Sequence, residues 1–251
     1  MPHHSNNRIL STVSAEDMAE LQPHLRLVEL EHGRVLAESR QRVHKVYFPH
    51  GGILSSVVEL KTGWGIEVGM IGKDGVFGAA QAMDDRMSLN KIVVQVPGWA
   101  SVIDAEVVKE LAGSSPEFRG LLVKYDQFLS AQVQQTAACN ALHTVEQRMC
   151  TWLVRMHDLV GTELPLTQEF LAQMMGVRRT SVTAVAVQMQ SEGLITYRRG
   201  HIRIVNMALI QKRGCECHES VREYAVDIFA DAAEPTPFHP TPDMGQPSAG
   251  E

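Results

Sequence analysis

The chain has 251 residues, enough for one large domain or two domains of ordinary size. Its composition is typical of a globular protein, and no apolar run is long enough to cross a bilayer. The first residues lack the basic-then-apolar order of a secretory signal, so we expect a cytoplasmic protein with no membrane partner. Without such a signal, the four cysteines do not indicate a disulfide scaffold.

The net charge of −6 does not by itself indicate a nucleic-acid partner, but the charges are unevenly distributed. Residues 144–213 contain nine Lys and Arg against five Asp and Glu, so the rest of the chain is strongly acidic. A basic segment beside an acidic one fits an anion-binding part joined to a sensing part.

Short runs rich in Val and Ile follow one another between Leu27 and Ile103, with turn signals between them. Short strands at such even spacing predict an antiparallel roll or barrel, and Asp104 is expected to cap a following helix. We place the first domain at residues 1–115. Its predicted elements are a helix near 16–21 and strands at 34–38, 43–48, 53–60, 66–71, 91–96 and 99–103.

A long helix is predicted over residues 116–143, because Pro116 suits a first helical position and neither Pro nor Gly occurs after Gly120. Its three-four spacing is typical of helices that pair with each other. A helix this long extends beyond the core of a small domain, so we predict that it forms a homodimer interface. The alternative is that it packs on its own domain. The predicted stripe consists of Leu122, Tyr125, Leu129, Gln132, Thr136 and Cys139.

A winged helix-turn-helix is predicted over residues 144–213. Thr167 can cap the first helix of the motif, and Gly176 supplies the turn, where a left-handed backbone costs glycine little. The second helix has an inward apolar face at helical spacing. The strand-turn-strand pattern of 194–205 then predicts a basic wing.

The start of the second helix carries residue types that suit the major groove of DNA. Arg can bind guanine O6 and N7 together, and Ser or Thr can reach phosphates or base edges. Arginines of a wing suit the phosphate backbone. We therefore predict a sequence-specific DNA-binding transcription regulator. Its candidate DNA-binding residues are Thr167, Arg178, Arg179, Thr180, Ser181, Thr183, Arg198, Arg199 and Arg203.

The order of β-roll, long helix and winged helix-turn-helix resembles the Crp/Fnr superfamily, the relatives of the cyclic-AMP receptor protein. The resemblance spans residues 27–205 and is strongest over 166–204. It implies an α+β fold: an antiparallel jelly roll of the cyclic-nucleotide-binding type, a dimerisation helix, and a C-terminal winged helix-turn-helix. It further implies a homodimer on near-palindromic double-stranded DNA, with RNA polymerase as a partner.

The resemblance also bears on individual residues. It implies that Arg179 reads a guanine, whereas Thr180 and Ala184 depart from the family's residues, so the preferred DNA sequence should differ from the prototype's. Family members hold a cyclic nucleotide with a Gly-Glu pair and an Arg beside a small hydroxyl residue. Here Ala79 follows Gly78 where Glu is expected, and Arg86 is out of register. Because a bound anion needs a cation, we do not expect a cyclic nucleotide, and the sequence assigns no other cofactor; the roll supports the dimer or binds a different ligand.

The segment Cys215-Glu216-Cys217-His218 brings two thiols and an imidazole together, as a metal or redox sensor would. Its thiol spacing is not the usual chelating one, and no second ligand pair is obvious, so we interpret it as an ordinary surface segment and predict no metal. No Cys precedes Cys139, which excludes the N-terminal iron–sulfur site of some Crp/Fnr relatives. Residues 214–251 are predicted to be a C-terminal helix and, after Phe229, a disordered tail.

Two other classes of function stay open. One is a small-molecule or metal sensor whose winged helix mediates protein contacts, against which the basic wing argues. The other is a cupin-like metalloenzyme, which needs clustered His and acidic ligands on facing strands. His44 and His50 lack that spacing, and no phosphate loop or nucleophile elbow is present, so we predict no catalytic residue and no enzyme.

Overall fold

The computed structural model describes residues 4–84 and 86–229. Two short helices, α1 (Arg8–Thr12) and α2 (Ala15–Leu21), open the chain. The side chain of Ser14 caps α2 by accepting a hydrogen bond from the backbone N–H of Asp17. Within the described ranges, no helix combines the length and the apolar character that crossing a bilayer requires.

Seven strands follow and form two antiparallel sheets, confirming the predicted roll. One sheet has the order β1-β7-β3 and the other β2-β6-β4-β5. Leu30, Leu54 and Val94 belong to the core of this domain. The strands are β1 (Arg26–Leu30), β2 (Val35–Ala37), β3 (Lys45–Pro49), β4 (Ile53–Glu59), β5 (Gly65–Ile71), β6 (Lys91–Val96) and β7 (Gly98–Asp104).

Three helices lie within or after the roll: α3 (Ala79–Met83), α4 (Ala105–Ser114) and α5 (Pro116–Leu142). Helix α5 starts at the predicted Pro116, and the Ser115 side chain caps it by accepting from the N–H of Phe118. Its 27 residues extend for about 40 Å. The long predicted helix is therefore present.

The stripe that we predicted for a dimer interface lies on the side of α5 that faces its own chain. Leu122 and Tyr125 belong to a core formed with α4 and the roll, and Gln132 accepts a hydrogen bond from Met70 N at 2.9 Å. Cys139 is buried as well. These four side chains are therefore covered within one chain, whereas Leu129 and Thr136 of the same stripe are half-buried.

The C-terminal domain is built on helices with a small antiparallel sheet of order β8-β10-β9. A reciprocal pair of hydrogen bonds between Thr144 and Gln147 starts its first helix, and Gly161 ends it. The elements are α6 (Val145–Val160), β8 (Glu163–Leu164), α7 (Gln168–Met175), α8 (Arg179–Ser191), β9 (Ile195–Arg198), β10 (His201–Ile204), α9 (Met207–Arg213) and α10 (Cys217–Phe229).

Helix α10 leaves this domain and packs back along α5, where the rings of Phe128 and Phe229 lie 6.3 Å apart. Helix α5 therefore packs against both the roll and α10. The tail that we predicted to be disordered after Phe229 lies outside the described residues.

Candidate nucleic-acid interface

The turn between α7 and α8 has the backbone geometry that its sequence predicts. The Thr167 hydroxyl accepts a hydrogen bond from Phe170 N at 3.1 Å and caps α7. Gly176 ends α7 in the left-handed region, with φ at 61°. A Cβ there would also lie 2.5 Å from Cδ1 of Ile66 on β5. Glycine is thus required both by the turn and by the approach of the motif to the roll.

Helix α8 has a buried apolar face and an outward polar face. Val182, Ala186 and Met189 are buried in the core of the C-terminal domain, as predicted. The outward face begins with Arg178, Arg179, Thr180, Ser181 and Thr183. The first three of these are exposed and the last two are half-buried, so the start of the helix is open to a partner.

Two of these side chains are paired with α7. Nη1 of Arg179 lies 3.1 Å from a carboxylate oxygen of Glu169, and the Thr183 hydroxyl donates to Gln168 Oε1 at 2.7 Å. Both members of the Arg179–Glu169 pair are exposed, and an exposed pair contributes only about 0–1 kcal/mol. A phosphate or a guanine can therefore replace Glu169 at little cost.

The predicted wing is a hairpin of β9 and β10 with a two-residue turn. Arg199 and Gly200 both have positive φ, at 46° and 81°, as the common hairpin turn requires. A Cβ on Gly200 would lie 3.3 Å from the methyl carbon of Thr167, so the wing tip borders the start of α7. Arg198 and Arg199 are exposed, and Arg203 pairs with Glu163 on β8 at 3.0 Å.

These contacts bring the predicted residues together. The start of α7 carries Thr167, which borders the wing, and the bond from Thr183 to Gln168 joins α8 to the same turn. The motif thus presents basic and small polar side chains from three neighbouring elements. That arrangement can place one helix in a major groove and hold the flanking backbone.

Two polar contacts that we did not predict join this domain to the roll. The indole N–H of Trp152 on α6 donates to Oε1 of Glu67 on β5 at 2.7 Å. Arg155 on α6 forms an ion pair with Asp74 of the roll at 2.7 Å. Burial raises the pKa of Glu67 to about 7, although its hydrogen bonds with Ser55 and Trp152 act in the opposite direction.

Gly78, Ala79 and Arg86 were compared above with the residues that hold a cyclic nucleotide in Crp/Fnr relatives. Gly78 has φ at 92°, and a Cβ there would lie 2.8 Å from Lys45 O. Ala79 is buried at the start of α3. Arg86 is exposed and pairs with Asp84 at 2.8 Å. The glycine is therefore explained by packing, and the arginine contacts an acid of its own segment.

The structure corrects our interpretation of the C-terminal cysteines. Cys215 and Cys217 are buried rather than exposed, and they form a small cluster with Cys139. Sγ of Cys139 and Sγ of Cys215 are 3.5 Å apart, although the two residues are far apart in sequence. The spacing argument missed this because it considered only ligands near Cys215 in the chain.

The fold and the exposed motif define a DNA-binding protein that joins a β-roll to a winged helix-turn-helix. Residues 147–213 match the family model described as the Crp-like helix-turn-helix domain. This segment of the chain is therefore similar to Crp-like helix-turn-helix domains, as its sequence predicted. No curated protein matches the chain.

Solved structures share the fold over most of the chain. A putative Crp/Fnr-family transcriptional regulator from Eubacterium rectale is 16% identical, with 83% of this chain and 98% of that chain covered and a TM-score of 0.66. FixK2 from Bradyrhizobium japonicum is 13% identical, with 76% and 98% covered and the same TM-score.

A third structure is the c-di-GMP-responsive global regulator CLP from Xanthomonas campestris. It is 15% identical, with 76% of this chain and 99% of that chain covered and a TM-score of 0.61. The chain thus has the fold of Crp/Fnr regulators, which agrees with the predicted resemblance.

Proposed function

We propose that the chain is a homodimeric transcription regulator that binds a near-palindromic DNA sequence in the cytoplasm. Helix α8 enters the major groove, and the wing holds the phosphate backbone. The observation that carries this proposal is the exposed start of α8, with Arg178, Arg179 and Thr180 beside a basic wing on a Crp-like domain. Contact with RNA polymerase at the promoter belongs to the same proposal.

The homodimer is supported by the face of α5 that the chain leaves uncovered. A second three-four series of side chains runs along this face for most of the helix, and all of its members are exposed. The series consists of Val123, Gln127, Ser130, Gln134, Ala137 and Ala141. Most of these side chains are small or uncharged, so two copies of α5 can approach closely along the stripe.

The roll is proposed to act without a cyclic nucleotide. Two residues support this proposal. Ala79 is buried where a ribose-binding Glu would stand, and Arg86 forms an ion pair with Asp84 at the surface. The alternative is a sensor that uses the wing only for protein contacts. It is less favoured, because the basic charge of the wing suits a phosphate backbone.

Selection of bound fragments from random DNA by the full-length protein tests the proposal. We expect an enriched inverted repeat, and a relaxed preference at one base pair per half-site in Arg179→Ala, because that side chain is assigned to a base. Arg199→Ala should weaken binding to all fragments alike, and Arg26→Ala, an exposed arginine of the roll, should leave binding unchanged. Failure to enrich any sequence, or identical profiles for wild type and Arg179→Ala, would contradict the assignment.

A further inference from the structure

Four potential metal ligands converge where α5 ends. Cys139 lies in the last turn of α5 and His143 directly follows that helix, while Cys215 and Cys217 come from the turn into α10 and its first residue. Their ligand atoms all lie within 4.8 Å of one another. The fold thus gathers three thiols and one imidazole from two segments that are distant in sequence.

Two of the ligand separations match a single tetrahedral ion. Sγ of Cys139 and Sγ of Cys215 are 3.5 Å apart, and Cys217 Sγ lies 3.5 Å from His143 Nδ1. Bonds of about 2.3 Å to sulfur and 2.0 Å to nitrogen place tetrahedral ligands about 3.5–3.8 Å apart. A multi-iron cluster would need its thiolates spread over several irons, so the tight group fits one ion.

Burial and composition also fit a closed site. Cys139, Cys215 and Cys217 are 8%, 9% and 4% exposed. Three Cys and one His form one of the ligand sets of structural zinc sites, in which all four positions are filled by protein. Soft thiolates favour zinc and similar thiophilic cations over magnesium or calcium.

Neighbouring side chains orient the ligands. Nε2 of His143 lies 3.4 Å from a carboxylate oxygen of Glu216, while Nδ1 of the same ring faces Cys217. The Gln135 amide donates to Cys217 Sγ at 3.2 Å, and the Thr151 hydroxyl lies 3.1 Å from Cys215 Sγ. Donors of this kind stabilise thiolates, and a carboxylate behind a ligating histidine raises its basicity.

We propose that Cys139, His143, Cys215 and Cys217 bind one zinc-like divalent cation in a tetrahedral Cys3His site. The ion ties the turn between α9 and α10 to the junction of α5 and α6. It therefore holds the C-terminal end of the DNA-binding domain against the long helix. The site is separate from the DNA interface, so its existence does not depend on the proposed function.

Cobalt titration of the full-length protein tests the site. The protein is first freed of metal with a chelator under reducing conditions, and Co2+ is then added as the probe. We expect saturation at one equivalent per chain, with the intense ligand-field bands of tetrahedral cobalt and thiolate-to-cobalt charge transfer, both abolished by added Zn2+. Bound Zn2+ should also raise the melting temperature, because the ligands come together only in the folded chain.

Zinc affinities of single-residue variants distinguish the proposed ligands from other residues. Cys217→Ser and His143→Ala should each lower zinc affinity by more than about a hundredfold, and Glu216→Gln by about tenfold, in competition with a chromophoric chelator. Cys150→Ala is the matched control, since Cys150 is also a buried free thiol but is not in the group. It should keep the wild-type spectrum. His143 is only partly buried, so His143→Ala keeps the test decisive if a cysteine variant fails to fold.

Three results would overturn the proposal. One is a weak octahedral cobalt spectrum without a stoichiometric end point. Another is unchanged zinc affinity in both Cys217→Ser and His143→Ala. The third is a reduced protein that takes up no metal but forms a Cys139–Cys215 disulfide with a mild oxidant, which would assign the pair to redox chemistry.

Discussion

Glu67 shows how a single buried carboxyl connects the two domains. It lies on β5 of the roll and accepts from Trp152 of α6, while its other oxygen contacts the Ser55 hydroxyl. Ser55 also donates to Gln95 Oε1 at 2.8 Å, and a hydroxyl has only one proton to give. A protonated Glu67 satisfies the group, because it donates to Ser55 while Ser55 donates to Gln95. This arrangement accommodates the neutral acid, which burial favours by raising the pKa of Glu67 to about 7.

Stability should consequently depend on pH through Glu67. The folded-state pKa is about 7 and the ordinary value is 4.5, so the folded chain binds one more proton between these values. The free energy of unfolding should fall as pH rises through that window, by at most about 3 kcal/mol. Glu67→Gln mimics the neutral acid and should flatten the fall, as measured by urea unfolding at several pH values.

Glu29→Gln is the control for this experiment, because Glu29 is exposed on β1. It should retain the wild-type pH dependence. If Glu67→Gln were to retain it as well, another group would have to carry the titration.

At the scale of elements, the helix-turn-helix could be predicted because its signals are local. The cap at Thr167, the left-handed Gly176 and the spacing of apolar residues in α8 each act within a few residues. Strand β1 was not predicted as an element of its own, because its five-residue RLVEL run does not alternate strictly between apolar and polar residues. Pairing with β7, about 70 residues later, establishes that strand.

The covered face of α5 and the cysteine cluster depend on long-range packing, so they could not be predicted from local sequence patterns. Helix α5 carries three-four series on two faces, and only the contacts of the folded chain show which one is covered. The cysteine cluster depends on the return of α10 along α5. Cys139 and His143, one helical turn apart, offered the second ligand pair, but nothing local relates them to Cys215.

The glycine turn of the motif gives a prediction at this scale. Gly176→Ala should cost about 1–2 kcal/mol for the left-handed backbone, and more for the contact with Ile66. Gly193→Ala isolates the backbone cost, because Gly193 has φ at 71° and open space around its Cβ position. We expect the greater loss of unfolding free energy in Gly176→Ala, with the excess removed when Ile66→Ala is combined with it. Equal losses in the two alanine variants would mean that the motif does not press on the roll.

The whole molecule acts on DNA as two copies if the uncovered face of α5 is an interface. Ala137→Glu places a charge in the middle of that face without disturbing the chain's own core, since Ala137 is exposed. We expect sedimentation to show monomers at concentrations where wild type is dimeric. Ala208→Glu, the same change on exposed α9, should stay dimeric. A dimer that survives Ala137→Glu would place the interface elsewhere.

The salt dependence of DNA affinity tests both whether the wing contacts phosphates and how many subunits bind one DNA site. Each phosphate contact contributes about 0.9 to the slope of log affinity against log salt. Arg199 lies at the exposed tip of the wing, so Arg199→Ala removes one such contact per bound subunit. A dimer should therefore lose about 1.8 from its slope, whereas a monomer would lose about 0.9. Binding isotherms across a range of salt concentrations distinguish the two values, and an unchanged slope would show that the wing does not touch the backbone.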